Sequence, residues 1–420
     1  MFRKVLSALI IGVIVLGLAG CGSGAGHKVL CEPKLEFEQT RGFSSGYAAV
    51  YKEGKWGYID KTGKLVIPYT FDYAESFAGS YAVVQLNGGA SAGSRTPLYG
   101  LIDKKGKPLA GVEYQLISDA KEGLYVVGKD GKFGYIDKKG KLVIPCEYDI
   151  AYEFCEGLAV AAKDNMYGYI DKTGKNIIPF QYEYAYSFTE GLAAVYENGK
   201  HGYIDASGTL AVPFLYDGAS FFSGGLALVA QGEYPEMMMG YIDKSGNVVI
   251  PFEYIVADDF SSGVAQVQKP GEYVLRYINT SGEVVVRCED YEMMYSFSEG
   301  LAAVRILDKW GAIDASGKLV IANEYEWLDE GGFSGGIIKA KKDAKWGYID
   351  TKGQVVMAFE FDELSEIIDG YAAACISGKF GVVDKSGRII APFEYEFIGY
   401  ISEGLAFTQE GGKWGIIQLR

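Results

Sequence analysis

The chain has 420 residues, of which 57 are Gly, 32 Tyr, 22 Phe and only 2 His, and its formal net charge is −14. With 49% hydrophobic residues it is too apolar for a disordered chain, and its Gly lacks the triplet period of collagen. The acidic charge argues against a nucleic-acid-binding protein, which normally carries a basic surface, and two His leave little room for His-based catalysis or metal sites.

Residues 1–20 have the pattern of an export signal, because Arg3 and Lys4 precede an apolar stretch from Val5 to Leu18. That stretch is short for a membrane-spanning helix. The next residues, Leu18-Ala19-Gly20-Cys21, resemble the lipobox of bacterial lipoproteins. The resemblance implies cleavage before Cys21, a diacylglycerol on its thiol and an acyl chain such as palmitate on its amino group. We therefore expect the protein to be exported and anchored to the bacterial cell membrane, facing away from the cytoplasm.

Residues 21–40 are predicted to be a flexible tether, since residues 22–26 read GSGAG. Lipidation of Cys21 leaves an odd number of Cys, so a complete disulfide framework is excluded. The remaining Cys residues are Cys31 within the tether, Cys146, Cys155, Cys288 and Cys375. Cys146 and Cys155 lie close in sequence, and the sequence leaves open whether they form a disulfide.

Residues 41–420 consist of a repeated unit with a period of 34 to 36 residues. In a typical unit, residues 192–196 (LAAVY) predict a strand, and the Asn-Gly at 198–199 predicts a hairpin turn. Residues 201–205 (HGYID) predict a second strand, followed by an Asp-x-x-Gly turn. A third strand follows and meets a Pro in six units, which places it at a sheet edge or ends it there. Each unit is thus predicted to be a three-stranded antiparallel meander with an aromatic connector.

The repeated signatures give ten full units and a final half unit. The first clear copy is Lys55-Trp56-Gly57-Tyr58-Ile59-Asp60, and the last is Lys413-Trp414-Gly415. A second signature, Phe-x-Glu-Gly-Leu-Ala, precedes each copy, as at residues 188–193. Two insertions lengthen the same loop, within residues 87–97 and near residues 231–238. Arg276 in place of the Gly and Pro108 within a third strand predict irregular seventh and second units.

One such unit cannot bury both of its faces, so neighbouring units must supply the core. The sequence allows an open, superhelical solenoid-like array, or a closed ring in the form of one large β-propeller or two propellers. Because propellers usually have four to eight four-stranded blades, the unit count favours the open array. In either case the fold class is all-β.

The combination of aromatic-Gly-Tyr-Ile-Asp-Lys-x-Gly-Lys with Phe-x-Glu-Gly-Leu-Ala resembles the WG repeat family, also called KWG repeats. The resemblance covers nearly all of residues 41–420. It implies a bacterial surface or secreted protein without an assigned catalytic site, and it provides no functional residues to transfer.

The residues that could carry chemistry have structural explanations in the repeat. The repeated Asp is expected to form turns rather than bind calcium, since the alternating carboxylates of an EF-hand loop are missing. The recurrent Glu of the Glu-Gly pairs is expected to serve the unit rather than a glycosidase dyad: Glu122, Glu156, Glu190, Glu299 and Glu403. His201 occupies the Trp position of its unit, and His27 lies in the tether. We therefore predict no enzyme, no cofactor and no metal site.

Two surface features suggest a binding role. Trp56, Trp310, Trp346 and Trp414 could stack on sugars, although buried core is the commoner fate of a repeated aromatic residue. Lys residues gather at the Asp-x-x-Gly turns, and acids gather at the other connectors, so stacked units are predicted to carry a basic edge and an acidic edge. The Lys are Lys61, Lys64, Lys104, Lys105, Lys107, Lys138, Lys139, Lys141, Lys172 and Lys175, and the acids are Glu153, Glu156, Glu183, Glu190, Glu292 and Glu299.

The sequence thus favours a membrane-anchored, non-enzymatic lipoprotein whose repeats form a scaffold for a protein partner that it does not identify. The alternative is a module that binds carbohydrate or a cell-envelope polymer through repeated aromatics or the basic edge.

Overall fold

The computed structural model describes residues 26–86, 97–233 and 235–420. In these ranges the elements are 44 β-strands and one short 3-10 helix, Cys288–Asp290, which confirms the all-β prediction. None of the helices in the described ranges is long and apolar enough to cross a membrane.

The strands form eleven four-stranded antiparallel sheets, here called blades. Blades 1 to 4 contain β2 (Gln39–Ser44), β3 (Tyr47–Lys52), β4 (Lys55–Asp60) and β5 (Leu65–Phe71); β6 (Tyr73–Ala74), β7 (Tyr81–Leu86), β8 (Leu98–Asp103) and β9 (Pro108–Tyr114); β10 (Leu116–Ile117), β11 (Leu124–Lys129), β12 (Lys132–Asp137) and β13 (Leu142–Tyr148); and β14 (Ile150–Ala151), β15 (Leu158–Lys163), β16 (Met166–Asp171) and β17 (Asn176–Tyr182). Blades 5 to 7 contain β18 (Tyr184–Ala185), β19 (Leu192–Glu197), β20 (Lys200–Asp205) and β21 (Leu210–Tyr216); β22 (Gly218–Ser223), β23 (Leu226–Gln231), β24 (Met238–Asp243) and β25 (Val248–Tyr254); and β26 (Val256–Ala257), β27 (Val264–Gln268), β28 (Arg276–Asn279) and β29 (Val284–Arg287).

Blades 8 to 10 repeat this order, and blade 11 takes its fourth strand from the start of the chain. They contain β30 (Met293–Met294), β31 (Leu301–Ile306), β32 (Lys309–Asp314) and β33 (Leu319–Tyr325); β34 (Trp327–Leu328), β35 (Ile337–Lys342), β36 (Lys345–Asp350) and β37 (Val355–Phe361); β38 (Glu363–Leu364), β39 (Tyr371–Ile376), β40 (Lys379–Asp384) and β41 (Ile389–Tyr395); and β42 (Phe397–Ser402), β43 (Leu405–Glu410), β44 (Lys413–Leu419) and β1 (His27–Leu35).

The blade has four strands rather than the three predicted, because the aromatic connector of each unit becomes the first strand of the next blade. In most blades this strand is only two residues long, such as Tyr184–Ala185, which pairs with Tyr196 and Val195. A strand of two residues is too short to show the alternation of apolar and polar residues by which strands are predicted from sequence. The three predicted strands follow it as the second, third and fourth strands.

The chain forms a closed ring, in place of the open array that the unit count favoured. β1 pairs antiparallel with β44, with His27 opposite Leu419 and Leu35 opposite Trp414. The half unit at the C-terminal end is therefore completed by the N-terminal strand. The first strands β42 and β2 also contact each other directly across this seam. Since the first strands of these neighbouring blades approach each other, they border the ring axis, and the fourth strands form the outer rim.

The predicted tether is a strand over most of its length. From His27 to Leu35 the chain is β1, and blade 1 begins at Gln39, whereas residues 21–25 lie outside the described residues. Cys31 is only 4% exposed and packs with Phe407 and Ile416 of blade 11. It occupies the position that Ile67 has in blade 1, so the segment supplies a core residue as the fourth strand of any other blade does.

The core consists of aromatic and aliphatic layers between successive blades. A buried Tyr on the third strand donates its hydroxyl to a carbonyl oxygen on the first-strand segment of the next blade, as Tyr203 does to Ser220 at 2.7 Å. The same bond is made by Tyr58, Tyr135, Tyr169, Tyr241 and Tyr348. Because a buried hydroxyl needs a partner, this Tyr fixes the distance between blades as well as filling space.

Arg276 and Pro108 depart from the repeat pattern and predict irregular blades. Blade 7, with Arg276, is irregular, whereas the strand of blade 2 that contains Pro108 is not. In blade 7, which contains Arg276, β28 and β29 have only four residues each, and the 3-10 helix follows. In blade 2, β9 starts at Pro108 and has the usual seven residues. The fourth strand is the outermost of its blade and one of its edges is free, so Pro is tolerated there, and the predicted irregularity of the second unit is absent from this strand.

Candidate functional site

The ring has two faces with different turns. The turns between first and second strands and between third and fourth strands lie on one face, here called the upper face. The hairpins between second and third strands and the connectors between blades lie on the other, here called the lower face. This placement follows from the antiparallel order of the four strands, and it decides which charged residues come together.

The repeated Asp on the upper face is a turn former, as predicted. Asp60 Oδ1 accepts hydrogen bonds from the backbone N–H groups of Thr62 at 2.9 Å and Lys64 at 3.2 Å. These bonds and that of the Thr62 hydroxyl lower the pKa of Asp60, although partial burial opposes them. Asn279 makes the same two backbone bonds in blade 7, so the turn needs an oxygen acceptor rather than a charge. No group of three potential metal-binding side chains occurs in the described ranges.

The recurrent Glu of the Glu-Gly pairs connects neighbouring blades. The carboxylate of Glu190 accepts the backbone N–H groups of Gly224 at 2.9 Å and Gly225 at 3.1 Å in the next blade. The other members of the set bond the equivalent turn in the same way: Glu122, Glu156, Glu299 and Glu403. These carboxylates serve the unit, as expected, and each lies in a different blade rather than in a dyad.

The predicted separation into a basic and an acidic edge is wrong in part. Glu156, Glu190 and Glu299 lie on the upper face with the Lys turns, because first–second and third–fourth turns share that face. Lys244 Nζ lies 3.1 Å from Glu190, and Lys172 Nζ lies 3.0 Å from Glu122. The acidic turns are nearer the axis and the Lys turns nearer the rim, so the upper face has concentric rather than opposite charges.

The other predicted acids occupy two places. Glu183 and Glu292 lie on the lower face, where each accepts the backbone N–H of a hairpin turn, at 2.9 Å from Asn198 and 2.8 Å from Leu307. Glu153 lies on a first-strand segment that borders the axis. It belongs to a larger group of acids on these segments: Glu75, Asp119, Glu153, Asp258, Asp259, Asp329, Glu330 and Glu366. Sequence reasoning did not recognise this group, because its members are unevenly spaced within the repeats.

Several of these axial acids are close enough to affect one another. Burial and the nearby charge of Asp119 raise the pKa of Glu75. Burial also raises the pKa of Asp259, although Ser220 donates a hydrogen bond to it at 2.7 Å. Lys339 forms ion pairs with two members, since its Nζ lies 3.4 Å from Asp329 and contacts Glu366, and one negative charge remains in this group of three. The axis of the ring is therefore a mainly acidic environment.

An apolar groove of about 500 Å³ lies at the seam where the ring closes. Its floor is β42, and its walls come from blades 10 and 1. Three apolar side chains here are unusually exposed: Tyr400 at 60%, Ile368 at 47% and Phe397 at 43%. The polar residues at its margin are Gln39, Thr40, Ser365 and Glu366. A concave apolar surface with a few polar groups has the character of a binding site.

The groove exists because Gly399 replaces a larger residue of the other blades. In blade 8 the equivalent Tyr295 stacks on Trp310 with ring centroids 4.6 Å apart, and in blade 1 the equivalent Arg41 lies 5.1 Å from the Trp56 ring. In blade 11, Gly399 leaves Trp414 at the wall of the groove. A position-by-position comparison of the units distinguishes Gly399, whereas the motifs that the units share do not include this position.

The repeated Trp residues are mainly structural. Trp56 and Trp310 are buried at 8% and 2% exposure, and Trp346 and Trp414 are half-buried. His201 fills the Trp position of blade 5, where its ring lies 4.7 Å from that of Tyr196, and burial lowers its pKa. His27 is part of β1, and its Nδ1 lies 3.1 Å from the Ile390 carbonyl oxygen. Cys146 and Cys155 are both free thiols in the structure, and Cys21 lies outside the described residues.

Eleven four-stranded blades closed by the first strand of the chain define a large β-propeller. A repeat propeller of this kind is suited to be a binding scaffold, because its many similar blades hold variable surfaces rigidly. The sequence model described as "WG containing repeat" matches residues 34–56, 56–89, 99–133, 133–167, 167–200, 202–234, 239–273, 276–310, 310–346, 346–380 and 380–414. The chain therefore belongs to the WG repeat family, as its motifs predicted.

The chain is also similar in fold to solved structures, although only remotely. A structure titled as a eukaryotic initiation factor matches with 10% identity and a TM-score of 0.42, over 76% of this chain and 95% of that one. The extracellular domain of a putative hybrid two-component system from B. thetaiotaomicron matches with 12% identity and a TM-score of 0.25, over 90% of this chain and 62% of that one. No curated protein matches the chain.

Proposed function

We propose that this protein is an exported, lipid-anchored and non-enzymatic scaffold that binds a segment of a partner protein in the groove at its seam. The observation that carries this proposal is the exposed apolar surface of Tyr400, Phe397 and Ile368 in a concave site. Exposed aromatic residues in such a site are typical centres of binding energy at protein interfaces. At this groove Gly399 departs from the pattern of the repeat, since blade 8 has Tyr295 and blade 1 has Arg41 at the equivalent position.

The chemistry of the groove favours a partner segment with an apolar side chain next to a basic one. The apolar side chain would cover Tyr400 and Phe397, and the basic one would lie toward the mainly acidic axis that the first strands border. Opposite charges across an interface accelerate association and select the partner.

A photo-crosslinking residue in place of Tyr400 tests the proposal in the native host. The matched control carries the same residue in place of Tyr273, which is 99% exposed and lies outside the groove. We expect a defined crosslinked protein with the first variant and not with the second. A peptide from the crosslinked segment should then bind the purified protein, and Tyr400→Ala should weaken that binding about tenfold or more. Equal crosslinking from both positions would overturn the proposal.

The second candidate ligand is a carbohydrate or cell-envelope polymer. The observation that favours it is the pairing of exposed Tyr400 and Phe397 with polar Gln39 and Glu366 at one groove, since aromatic faces and hydrogen-bonding groups together suit sugars. Titration with envelope glycans separates the candidates, because a sugar that binds the groove should protect Tyr400 from chemical modification whereas a protein-specific groove leaves its modification rate unchanged.

The proposed anchor is the lipid on Cys21. Mass spectrometry of the purified protein should find an N-terminal lipid-modified Cys21, and Cys21→Ser should release the protein from the membrane fraction. A chain with an intact, unmodified N-terminal segment in the membrane would contradict lipidation and indicate that residues 1–20 remain as the anchor.

A further inference from the structure

The chain leaves the ring on the upper face, at the outer rim. Arg420 N donates a 2.6 Å hydrogen bond to Gly26 O, and Leu419 N donates to Gly404 O in the first–second turn of blade 11. Gly26 therefore lies beside the upper-face turns. Gly26 also packs closely against blade 10, because a Cβ on Gly26 would lie only 3.2 Å from the Ile390 side chain.

Only five residues, 21–25, separate this exit from the proposed lipid on Cys21. Five residues span at most about 18 Å even when fully extended. That reach is short for a ring of eleven blades, so the rim of the upper face is held near whatever surface the lipid enters. The lower face, at the opposite ends of the strands, is held away from it.

Exposed cations surround this exit on the upper face. Blade 1, which packs on β1, carries Lys61 and Lys64, and blade 10 on the other side carries Lys385 and Arg388. The same turns in blades 2 to 4 extend the basic sector through Lys105, Lys107, Lys138, Lys139, Lys141, Lys172 and Lys175, all of them exposed. The turn Asp accepts backbone N–H groups, as Asp60 does. Two of the cations also have an acidic partner, since Lys172 lies 3.0 Å from Glu122 and Arg388 lies 2.9 Å from Asp384, whereas Lys105, Lys138 and Lys139 are exposed.

The lower face has the opposite character despite containing Lys as well. There most of the Lys are paired with acids, as Lys55 is with Asp72 at 2.6 Å and Lys129 with Glu113 at 2.6 Å. Connector acids such as Glu183 and Glu292 add further negative charge. A chain with a net charge of −14 thus presents its exposed cations mainly on the face from which its N-terminal segment leaves.

We infer that the upper face lies against an anionic lipid surface, with the basic sector of blades 1 to 4 and blade 10 on the phospholipid headgroups. This inference rests on the proposed lipid anchor, and it adds the orientation of the ring. Basic residues near an anionic leaflet are attracted to it within a Debye length, about 8 Å at physiological salt. The acidic lower face and the axis then remain open to partners.

Lysine footprinting of the lipidated, full-length protein in vesicles tests the orientation. Vesicles of phosphatidylcholine with phosphatidylglycerol are compared with phosphatidylcholine alone. Each lysine near an anionic surface favours contact by roughly fivefold, so acylation of Lys105, Lys138 and Lys139 should slow at least fivefold in the anionic vesicles. Lys309 and Lys379 on the lower face are internal controls and should react at unchanged rates. High salt should remove the protection.

Two matched variants test whether protection depends on the basic sector itself or only on the net charge of the protein. Lys105→Gln, Lys107→Gln, Lys138→Gln and Lys139→Gln together should abolish protection of the remaining upper-face Lys61. The control variant with Lys34→Gln, Lys309→Gln, Lys379→Gln and Lys413→Gln has the same change of charge on other surfaces and should retain protection.

The outcomes distinguish the inference from the anchor. If Cys21 carries lipid and the protein floats with vesicles, but both faces react equally, the anchor stands and the orientation is overturned. If Cys21 carries no lipid, the proposed anchor is wrong. Protection of the upper-face Lys by anionic vesicles would then still support binding of this face to an anionic lipid surface. Protection by soluble polyglycerol phosphate and not by vesicles would overturn the inference in favour of an envelope polymer.

Discussion

The carboxylate of Glu403 accepts the backbone N–H of Gly46 at 2.8 Å, although the two residues lie near opposite ends of the chain. The same contact joins Glu156 to Gly191 at 3.0 Å, where the chain itself connects the two blades. One bond type thus occurs at the seam and within the covalently continuous ring. The pair allows the contribution of this contact to closure to be measured against its contribution to ordinary blade stacking.

Glu403→Ala should destabilise the ring more than Glu156→Ala does. Each substitution removes a charged acceptor from exposed amides, which costs about 1 kcal/mol after solvent screening. At the seam the loss also promotes separation of β1 and β2 from the other three strands of blade 11, whereas blades 4 and 5 stay linked by the backbone. Urea unfolding midpoints of the two variants check this. Equal midpoints would mean that β1 pairing alone keeps the ring closed.

Cys31 should report opening of the seam through its reactivity. Burial raises the pKa of its thiol, although Lys34 opposes the shift, and only the thiolate reacts readily. Alkylation of Cys31 should therefore be slow in the closed ring and faster in Glu403→Ala. Half-buried Cys155 lies away from the seam in blade 4 and is the control, since its alkylation rate should be the same in both proteins. Mass spectrometry of the alkylated peptides measures the two rates.

The sequence predicts most of the blade because the repeat exposes its local signals many times over. The Asn-Gly and Asp-x-x-Gly turns, the buried Tyr of the third strand and the edge Pro all have local causes. Ring closure has no local cause, because it depends on how the angle between neighbouring blades accumulates around the ring. For the same reason the sequence predicts a tether where β1 forms, since its partner β44 lies at the other end of the chain.

The groove was missed for a different physical reason. The groove arises where one unit does not fill a space that other units fill, and that difference is a property of packing. Gly399 has no side chain to cover Trp414, and its neighbour Tyr400 remains exposed instead of packing. The basic turns were identified correctly, but their placement relative to the Glu-Gly turns needed the strand order.

Tyr203→Phe should weaken the contact between blades 5 and 6. The substitution removes the 2.7 Å hydrogen bond from the Tyr203 hydroxyl to the Ser220 carbonyl oxygen. It preserves the packing of the aromatic side chain. An unsatisfied buried acceptor costs about 1 to 2 kcal/mol. Tyr400→Phe is the matched control, because its exposed hydroxyl contributes little to folding. Chemical denaturation of both variants provides the comparison, and equal destabilisation would show that the interblade bond is not important.

The same tyrosines predict a loss of stability at alkaline pH. Burial raises the pKa of Tyr203 far above its usual range, and burial together with Glu253 raises that of Tyr254 to about 12. In the unfolded chain these groups ionise near pH 10. The folded protein then holds more protons, so its stability is complete below about pH 10 and falls as the pH rises from there toward the folded pKa values. Unfolding midpoints measured between about pH 8 and 11 should show this decline. Tyrosinate absorbance should increase further on unfolding, beyond the absorbance of exposed residues such as Tyr273.

Tyr295→Ala and Tyr400→Ala should separate structural from functional aromatic residues. Tyr295 stacks on buried Trp310 with an interplanar angle of 17°, so its removal loses both an aromatic pair and apolar burial, about 2 to 3 kcal/mol in total. Tyr400 is 60% exposed, and its removal should change stability by no more than about 0.5 kcal/mol. Denaturation midpoints give both values. A large destabilisation by Tyr400→Ala would assign this residue to seam packing, and its exposure would then no longer support a ligand site.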